Sequence, residues 1–142
     1  MKDKILNVLA AALGAVISFF YGLPPVLVVL LVVMSLDFIT GLIVACTGKS
    51  PKTEYGGLSS TAAFVGLLKK IVILIVVALA HLLDYAVQST TGIDFAAVSG
   101  ATCLWFVASE GISIVENAAI MGVPIPEQIK QLLEVMKGKK EG

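Results

Sequence analysis

The chain has 142 residues, of which 58% are hydrophobic and only 14% are charged. Soluble domains carry about 25% charged residues, so this chain has too little polar surface to enclose its apolar side chains in water. Its ten basic residues, all lysine, balance ten acidic ones, and zero net charge gives no indication of a nucleic-acid partner. The composition favours an all-α integral membrane protein whose main partner is the lipid bilayer.

Four apolar segments follow one another along the chain. A bilayer core is about 30 Å thick, and a helix needs about 17–25 apolar residues to cross it. The candidate spans are approximately residues 5–23, 26–46, 71–87 and 95–115. The first has the basic start and apolar run of a signal peptide. It leads straight into the second segment, however, so we interpret it as a retained span.

The connections between the segments differ in length. Pro24 and Pro25 cannot extend a helix, so the first two spans are predicted to form a tight antiparallel hairpin. Residues 47–70 are predicted to form a longer cytoplasmic loop. Its mildly amphipathic end, residues 58–70, is expected to be an interfacial helix that leads into the third span.

A short amphipathic helix is predicted after the fourth span. Pro124 and Pro126 break the chain, and apolar residues recur from Ile129 at i, i+3, i+4 and i+7. This spacing places them on one face of a helix. We expect the helix to cover about residues 126–137 and to lie on the cytoplasmic membrane surface or pack on a neighbouring subunit.

Lysine placement predicts the topology. With four spans, all ten lysines fall on one side of the membrane, and the connections 22–25 and 88–94 contain none. The positive-inside rule identifies the lysine-rich side as cytoplasmic. A three-span arrangement would put the four C-terminal lysines outside. The sequence therefore predicts a single membrane domain over residues 1–142, with four helices in two antiparallel hairpins and both chain ends in the cytoplasm.

Four ionisable side chains fall within the predicted spans: Asp37, His81, Asp84 and Glu110. Such groups are costly in a bilayer and are functional candidates by default. Asp37 and His81 lie in the middle of the second and third spans, so we expect them to pair at one depth. The alternatives are interhelical hydrogen bonds, each worth about 0.6–2 kcal/mol, and a role in conduction or gating.

The fourth span carries a polar face. At helical spacing this face comprises Ser99, Thr102, Phe106, Ser109, Ser113 and Glu116, with Cys103, Glu110 and Asn117 on its flank. Lipid cannot satisfy polar groups. The face is therefore expected either to be buried inside one subunit or to line an aqueous lesion in an oligomer.

Small residues recur at four-residue intervals, which permits close helix approach in lipid. They are Ala10, Gly14, Ser18 and Gly22 in the first span, and Ala96 and Gly100 in the fourth. Gly41 of the second span is a further candidate for helix packing. The spacing does not distinguish packing within a subunit from packing between subunits.

The sequence contains no catalytic or cofactor motif. It has one histidine, no glycine-rich phosphate loop and no metal-ligand spacing. Cys46 and Cys103 lie in or beside apolar segments and resemble neither a metal site nor a disulfide framework. We expect no enzyme activity, no cofactor and no metal.

Several of these motifs together resemble the phage holins of the toxin-secretion and phage-lysis type. The matching motifs are Asp37-x-x-Thr40-Gly41, Ser59-Ser60 before Gly66-x-x-Lys69-Lys70, Asp84, Glu110-x-x-Ser-Ile-x-Glu116-Asn117, and Gly122-x-Pro124-x-Pro126. The last two, close together in the chain, are the specific ones.

The resemblance implies a small protein of a Gram-positive phage or prophage that oligomerises in the bacterial cytoplasmic membrane. It also implies lesions that release a cell-wall hydrolase (an endolysin) or a toxin as cargo. Two other hypotheses stay open. One is an ion or proton transporter that uses Asp37, His81 and Glu110 as a relay. The other is a non-conducting anchor whose C-terminal helix recruits a soluble partner.

Overall fold

A computed structural model describes residues 2–94 and 97–138, apart from the side chains of residues 2, 19 and 20. All regular structure in this part is helical, which confirms the all-α class. The five helices are α1 (Lys2–Tyr21), α2 (Pro25–Cys46), α3 (Ser60–Thr91), α4 (Ala97–Ile120) and α5 (Glu127–Met136).

Three of these helices, α2, α3 and α4, are long and apolar enough to cross a membrane. At 1.5 Å per residue they are about 33, 48 and 36 Å long, against a hydrocarbon core of about 30 Å. Helix α1 coincides with the first predicted span. Its described side chains, at residues 3–18 and Tyr21, are all exposed, so a fourth crossing and a packed first hairpin stay predictions.

Helices α2 and α4 lie side by side and run in the same direction. At their C-terminal ends, the Thr47 hydroxyl lies 3.5 Å from the Met121 sulfur. One turn earlier in α4, the amide of Asn117 reaches the Thr40 hydroxyl of α2 at 3.0 Å. Contacts between α2 and α4 are the most extensive of any helix pair, so α4 is the central helix of the packed part.

Helix α3 runs antiparallel to α4. Lys70, near the start of α3, meets Glu110 in the second half of α4. Asp84, near the end of α3, meets Ser99 at the start of α4. Polar contacts therefore join the two helices at two levels that are 14 residues apart in α3, or about 21 Å.

The packed helices enclose a small apolar core and turn most large apolar side chains outward. The core contains Leu30 and Met34 of α2, Val77 of α3, and Cys103 and Val107 of α4. Outward-facing side chains such as those of Val32, Ile75 and Leu82 are at least half exposed. An apolar exterior of this extent indicates contact with lipid.

The helix predicted over residues 58–70 is present from Ser60 onward, and it is continuous with the third span. Helix α3 begins at Ser60 and continues without a break to Thr91. The Ser59 hydroxyl accepts a hydrogen bond from the Ala62 backbone N–H at 3.3 Å, which is an N-cap. No proline follows to interrupt the helix, so the amphipathic residues become the first turns of the long helix.

The short C-terminal helix is present as α5, but its surroundings differ from the prediction. It packs on α4 of its own chain rather than only on the membrane or a neighbouring subunit. Leu133 lies over Gly111, where a Cβ on residue 111 would come within 2.7 Å of the leucine side chain. The Lys137 ammonium lies 5.3 Å from the centre of the Trp105 ring. The glycine opens a gap on α4 that the leucine of α5 fills.

Candidate functional site

Three charged side chains lie buried where α2, α3 and α4 meet. We call Asp37, Lys70 and Glu110 the charge cluster. The Lys70 ammonium donates to Asp37 Oδ2 at 2.8 Å and also to Glu110 Oε2. The three side chains are only 9–12% exposed. One lysine thus joins a carboxylate from each of the two parallel helices.

Neighbouring polar groups extend the cluster toward the C-terminal ends of α2 and α4. The Asn117 amide donates to Thr40 Oγ1 at 3.0 Å and to Asp37 Oδ1 at 3.4 Å. Asp37, Thr40 and Gly41 share one face of α2 because they are three and four residues apart. The Asn117 amide nitrogen lies 3.8 Å from where a Cβ of residue 41 would stand, so the glycine leaves this face open to the amide.

The charges in the cluster do not cancel. With both carboxylates ionised, two negative charges face one positive charge. Burying a charge costs several kcal/mol unless it is paired and hydrogen-bonded, and Coulomb interactions strengthen as water is excluded. The cluster therefore favours the closed arrangement of the three helices while Lys70 is in place, and its excess negative charge favours access of water or cations.

A cavity of about 300 Å³ adjoins the cluster. We call it the inner cavity. The charge cluster, Ser109 and Ser113 line one part of it, and Lys52, Lys69 and Ser59 line another. At roughly 30 Å³ per water molecule, it has room for about ten waters. The inner cavity extends from the cluster to the loop between α2 and α3.

The loop between α2 and α3 is held by its own backbone. The Ser50 N–H donates to the Gly56 carbonyl at 2.8 Å. Gly56 has φ +71°, and a Cβ at this residue would collide with the carbonyl of Gly48. Only glycine adopts this conformation readily. The closed loop places Lys52 at the rim of the inner cavity.

Asp84 forms a second polar junction, at the other end of α4. Its carboxylate accepts hydrogen bonds from Ser99 Oγ at 2.6 Å, from the Ser99 N–H at 2.8 Å and from the Val98 N–H at 3.2 Å. The first backbone N–H groups of a helix have no partner within the helix. Asp84, only 5% exposed, supplies that partner and ties α3 to α4.

The predicted pair of Asp37 and His81 does not form. His81 lies exposed on α3, whereas Asp37 bonds to Lys70. Lys70 and His81 are 11 residues apart in one continuous helix, which is about 16 Å along its axis. Asp37 and His81 are expected at the same depth in the membrane only if the third span begins after Lys70. The extension of α3 puts Lys70 at that depth.

The predicted polar face of the fourth span divides among several surroundings. Ser109 and Ser113 line the inner cavity, Asn117 is buried beside Asp37, Thr102 is half-buried, and Glu116 is exposed. Within the described chain, most of this face is thus enclosed by a single subunit.

Of the predicted small-residue contacts, Gly41 faces the Asn117 amide of α4, whereas the small residues of α1 and Gly100 have no partner in the described packing. Ala10, Gly14, Ser18 and Gly22 are exposed, and Gly100 is half-buried with nothing within 4 Å of where its Cβ would stand. Ala96 lies outside the described residues. Residues 2–94 and 97–138 also contain no group of three acidic, histidine or cysteine side chains placed to hold a metal ion.

Sequence reasoning missed the part that Lys70 takes in the cluster. An interfacial helix over residues 58–70 ends at Lys69 and Lys70 and would place both lysines at the membrane surface. The available signal was charge balance, because two carboxylates inside predicted spans require a cation. Lys70 directly precedes the third apolar segment and is therefore the lysine nearest to it in the chain.

Comparison with known sequences gives consistent matches over nearly the whole chain. A sequence profile of the bacteriophage holin family matches residues 14–138. An uncharacterized protein of Halalkalibacterium halodurans, BH0965, is 35% identical over 138 residues, which is 96% of each chain. An uncharacterized 14.9 kDa protein of Clostridium perfringens is 35% identical over 130 residues, 91% of this chain and 90% of its own. The uncharacterized protein YqxH of Bacillus subtilis is 32% identical, covering 87% of this chain and 79% of its own. No solved structure matches.

Proposed function

The chain belongs to the bacteriophage holin family, and we propose that it is a holin that forms lesions in the bacterial cytoplasmic membrane. The observation that carries this proposal is the charge cluster, a buried and unbalanced set of charges inside a bundle with a lipid-facing exterior. A purely structural core would be cheaper to build from apolar side chains of similar volume.

The cluster suits a two-state assembly. In the closed state Lys70 holds Asp37 and Glu110 between the helices, and neither carboxylate needs to face lipid. Separation of α3 from α2 and α4 would leave the carboxylates of Asp37 and Glu110 without Lys70, their only cation in the cluster. Lipid cannot receive these groups, so helices that separate must turn them toward water. The open state is therefore an oligomer in which the polar face of α4 lines an aqueous lesion.

We propose the topology from the lysine distribution together with the observed helix directions. Helices α2 and α4 run parallel and α3 runs antiparallel to them. Three successive crossings with these directions place the C-terminal ends of α2 and α4 on one side. The loop that follows α2, with Lys49 and Lys52, lies there, so this side is cytoplasmic. With α1 as a fourth span, the N-terminus is cytoplasmic as well.

Within this proposal the protein accumulates in the membrane, oligomerises and then releases a cell-wall hydrolase or a toxin. The exposed small residues of α1 offer a surface for contact between copies. The proposal assigns the chain no catalytic step and no cofactor.

Induced expression in a bacterium tests the proposal. A potential-sensitive dye should report an abrupt loss of membrane potential after a delay, followed by release of a co-expressed cell-wall hydrolase. Glu110→Gln removes the excess charge of the cluster and should shift the onset, because it changes the balance between the closed and open states. Glu134→Gln makes the same charge change on the exposed face of α5 and should leave the onset unchanged. Continued growth at full potential, with the protein confirmed in the membrane, would exclude a holin.

A small ion or proton conductor is the second candidate, and the inner cavity favours it because the cavity reaches Asp37 and Glu110 from the loop between α2 and α3. His81 is not part of such a route, since it lies exposed on α3. Proteoliposomes separate the two functions. A holin should release an entrapped folded protein as well as a small dye, whereas a conductor should pass ions and retain both.

A further inference from the structure

A second cavity, of about 750 Å³, lies beside the inner cavity at the start of α3. We call it the lysine groove. Lys52 and Lys69 line both cavities, Tyr55 lies at the groove with 90% of its surface exposed, and Leu58 and Val65 supply an apolar wall. The groove thus combines two cationic groups, an interfacial aromatic residue and apolar side chains.

Neither lysine is neutralised within the described chain. The ion pairs of residues 2–94 and 97–138 involve Lys70 and Lys130, and neither the Lys52 nor the Lys69 ammonium has a carboxylate oxygen within 4 Å. Lys69 and Lys70 point apart because successive helical residues differ by about 100° in direction. Lys70 enters the charge cluster, and Lys69 stays at the groove. Glu54 is the acidic residue lining the groove, so the formal charge of its lining is positive.

Exposed apolar side chains adjoin the wall of the groove. Leu58 is 63% exposed and Val65 is 44% exposed. Phe64, next to Val65 in α3, is 60% exposed. A free anion would need only the lysines. A ligand with a negative headgroup and an apolar tail would use both the lysines and this wall.

From these contacts we propose that the lysine groove binds the headgroup of an anionic phospholipid of the cytoplasmic leaflet, with its phosphate between Lys52 and Lys69 and its acyl chains along Leu58 and Val65. Basic pockets at the cytoplasmic side of spanning helices are suited to anionic headgroups. The N-terminal end of α3 lies at the same place, and its dipole adds to the attraction for a phosphate. The assignment of leaflet rests on the proposed topology.

The groove also shares its lysines with the cavity that leads to the charge cluster. A bound phosphate would draw Lys52 and Lys69 away from the excess negative charge on Asp37 and Glu110. Lipid binding would thereby affect the same closed arrangement that the proposed function requires to open.

Lipid retention by the purified full-length protein in detergent tests the proposal. Native mass spectrometry would compare phosphatidylglycerol with phosphatidylcholine of the same acyl chains. The wild type should retain phosphatidylglycerol preferentially. The double variant Lys52→Gln/Lys69→Gln should bind it roughly 30-fold more weakly, at about 1 kcal/mol for each lysine. The matched control Lys49→Gln/Lys130→Gln removes the same charge from residues that line neither cavity and should retain the lipid.

A second variant keeps both lysines and fills the space. Gly66 lines both cavities, and a Cβ at residue 66 would have nothing within 4 Å. Gly66→Leu should therefore keep α3 intact, as circular dichroism would show, and yet lose the lipid. Equal weakening in both lysine doubles, equal retention of the two lipids, or full retention by Gly66→Leu would overturn the proposal.

Competition with inorganic phosphate distinguishes binding of a phospholipid from binding of free phosphate. Phosphate added at millimolar concentration should not displace phosphatidylglycerol, because the acyl chains hold the lipid to the apolar wall. Displacement would mean that the groove binds free phosphate and would overturn the lipid assignment. None of these measurements requires a lesion. Lipid binding without loss of membrane potential in cells would exclude the holin function alone.

Discussion

Lys70 is held at the point where α2, α3 and α4 come together, with one carboxylate on either side. The balance of energies there is asymmetric. A complete buried ion pair contributes little to stability compared with apolar side chains, whereas a buried pair with one partner removed leaves an uncompensated charge. The cluster therefore adds little to the free energy of unfolding, but the loss of any one of its three charges should lower that free energy strongly.

Replacing Lys70 by methionine should show this sensitivity. Lys70→Met keeps the length of the side chain but leaves Asp37 and Glu110 facing each other without a cation. We expect the free energy of unfolding to fall by about 3–5 kcal/mol. Unfolding of the detergent-solubilised protein by sodium dodecyl sulfate, followed by circular dichroism, measures the change.

Lys69→Met is the matched control, because it removes the neighbouring lysine, which lies outside the charge cluster. We expect a change within about 0.5 kcal/mol, as for most surface substitutions. The triple variant Asp37→Asn/Lys70→Met/Glu110→Gln removes every charge and should recover most of the lost stability. If the triple variant is as unstable as Lys70→Met, the loss arises from packing and not from unpaired charge.

At the residue scale the sequence identified the buried polar groups but not the cation that pairs with Asp37 and Glu110. Asp37, Asp84, Glu110 and Asn117 are recognisable because polar groups are rare within apolar runs. The partner depends on how far each helix extends, because one extra turn changes which side chains share a depth. Lys70, rather than His81, could be selected only once the length of α3 was known.

At the scale of elements, the position of α5 depends on the fit of one side chain against α4, which the periodicity of the sequence does not reveal. The amphipathic spacing from Ile129 predicts the helix, but several surfaces could receive an apolar stripe. The choice of α4 depends on Gly111, which gives Leu133 room for close contact. A single glycine in an apolar helix has many explanations, and the sequence alone does not single out this one.

Gly111→Ile should release α5 from α4. The added side chain occupies the place of Leu133, so the leucine must move and the contact between Lys137 and Trp105 must open. Trp105 is the chain's one tryptophan, and its fluorescence emission therefore reports this contact directly. We expect a shifted emission maximum and faster trypsin cleavage at Lys130 and Lys137 in detergent.

Gly100→Ile provides the control for this change. It places the same side chain on the same helix, at a residue where a Cβ meets nothing within 4 Å. Its emission and cleavage rate should match those of the wild type. Unchanged emission and cleavage in Gly111→Ile would show that α5 does not depend on the glycine for its docking.

At the scale of the whole molecule, composition and lysine placement are strong signals because the bilayer acts on every residue at once. They identify the all-α membrane class, and apolar length identifies α2, α3 and α4 as candidate spans. Association between copies is a different kind of property. It depends on surfaces that one chain leaves uncovered, and the small residues of α1 are such a surface.

Gly14→Leu tests whether α1 joins copies of the protein. A Cβ at residue 14 has nothing within 4 Å, so the substitution disturbs no contact within the described chain. Leucine also favours a helix over glycine by about 1 kcal/mol. If α1 packs between copies through its small residues, the larger side chain should keep neighbouring helices apart. We expect chemical crosslinking in membranes to yield fewer oligomers and the loss of membrane potential to be delayed.

The matched control is Ala12→Leu, which adds similar bulk on the opposite face of the same helix, where the side chain is also exposed. Its crosslinking pattern and the time of potential loss should follow the wild type. Equal loss of oligomers in both variants would point to a general intolerance of bulk along α1. If Gly14→Leu still forms oligomers to the full extent, the copies must contact each other through another surface. The exposed apolar edge of α5, which includes Leu132 and Val135, would then be the next surface to test, because it is the part of that helix that α4 leaves uncovered.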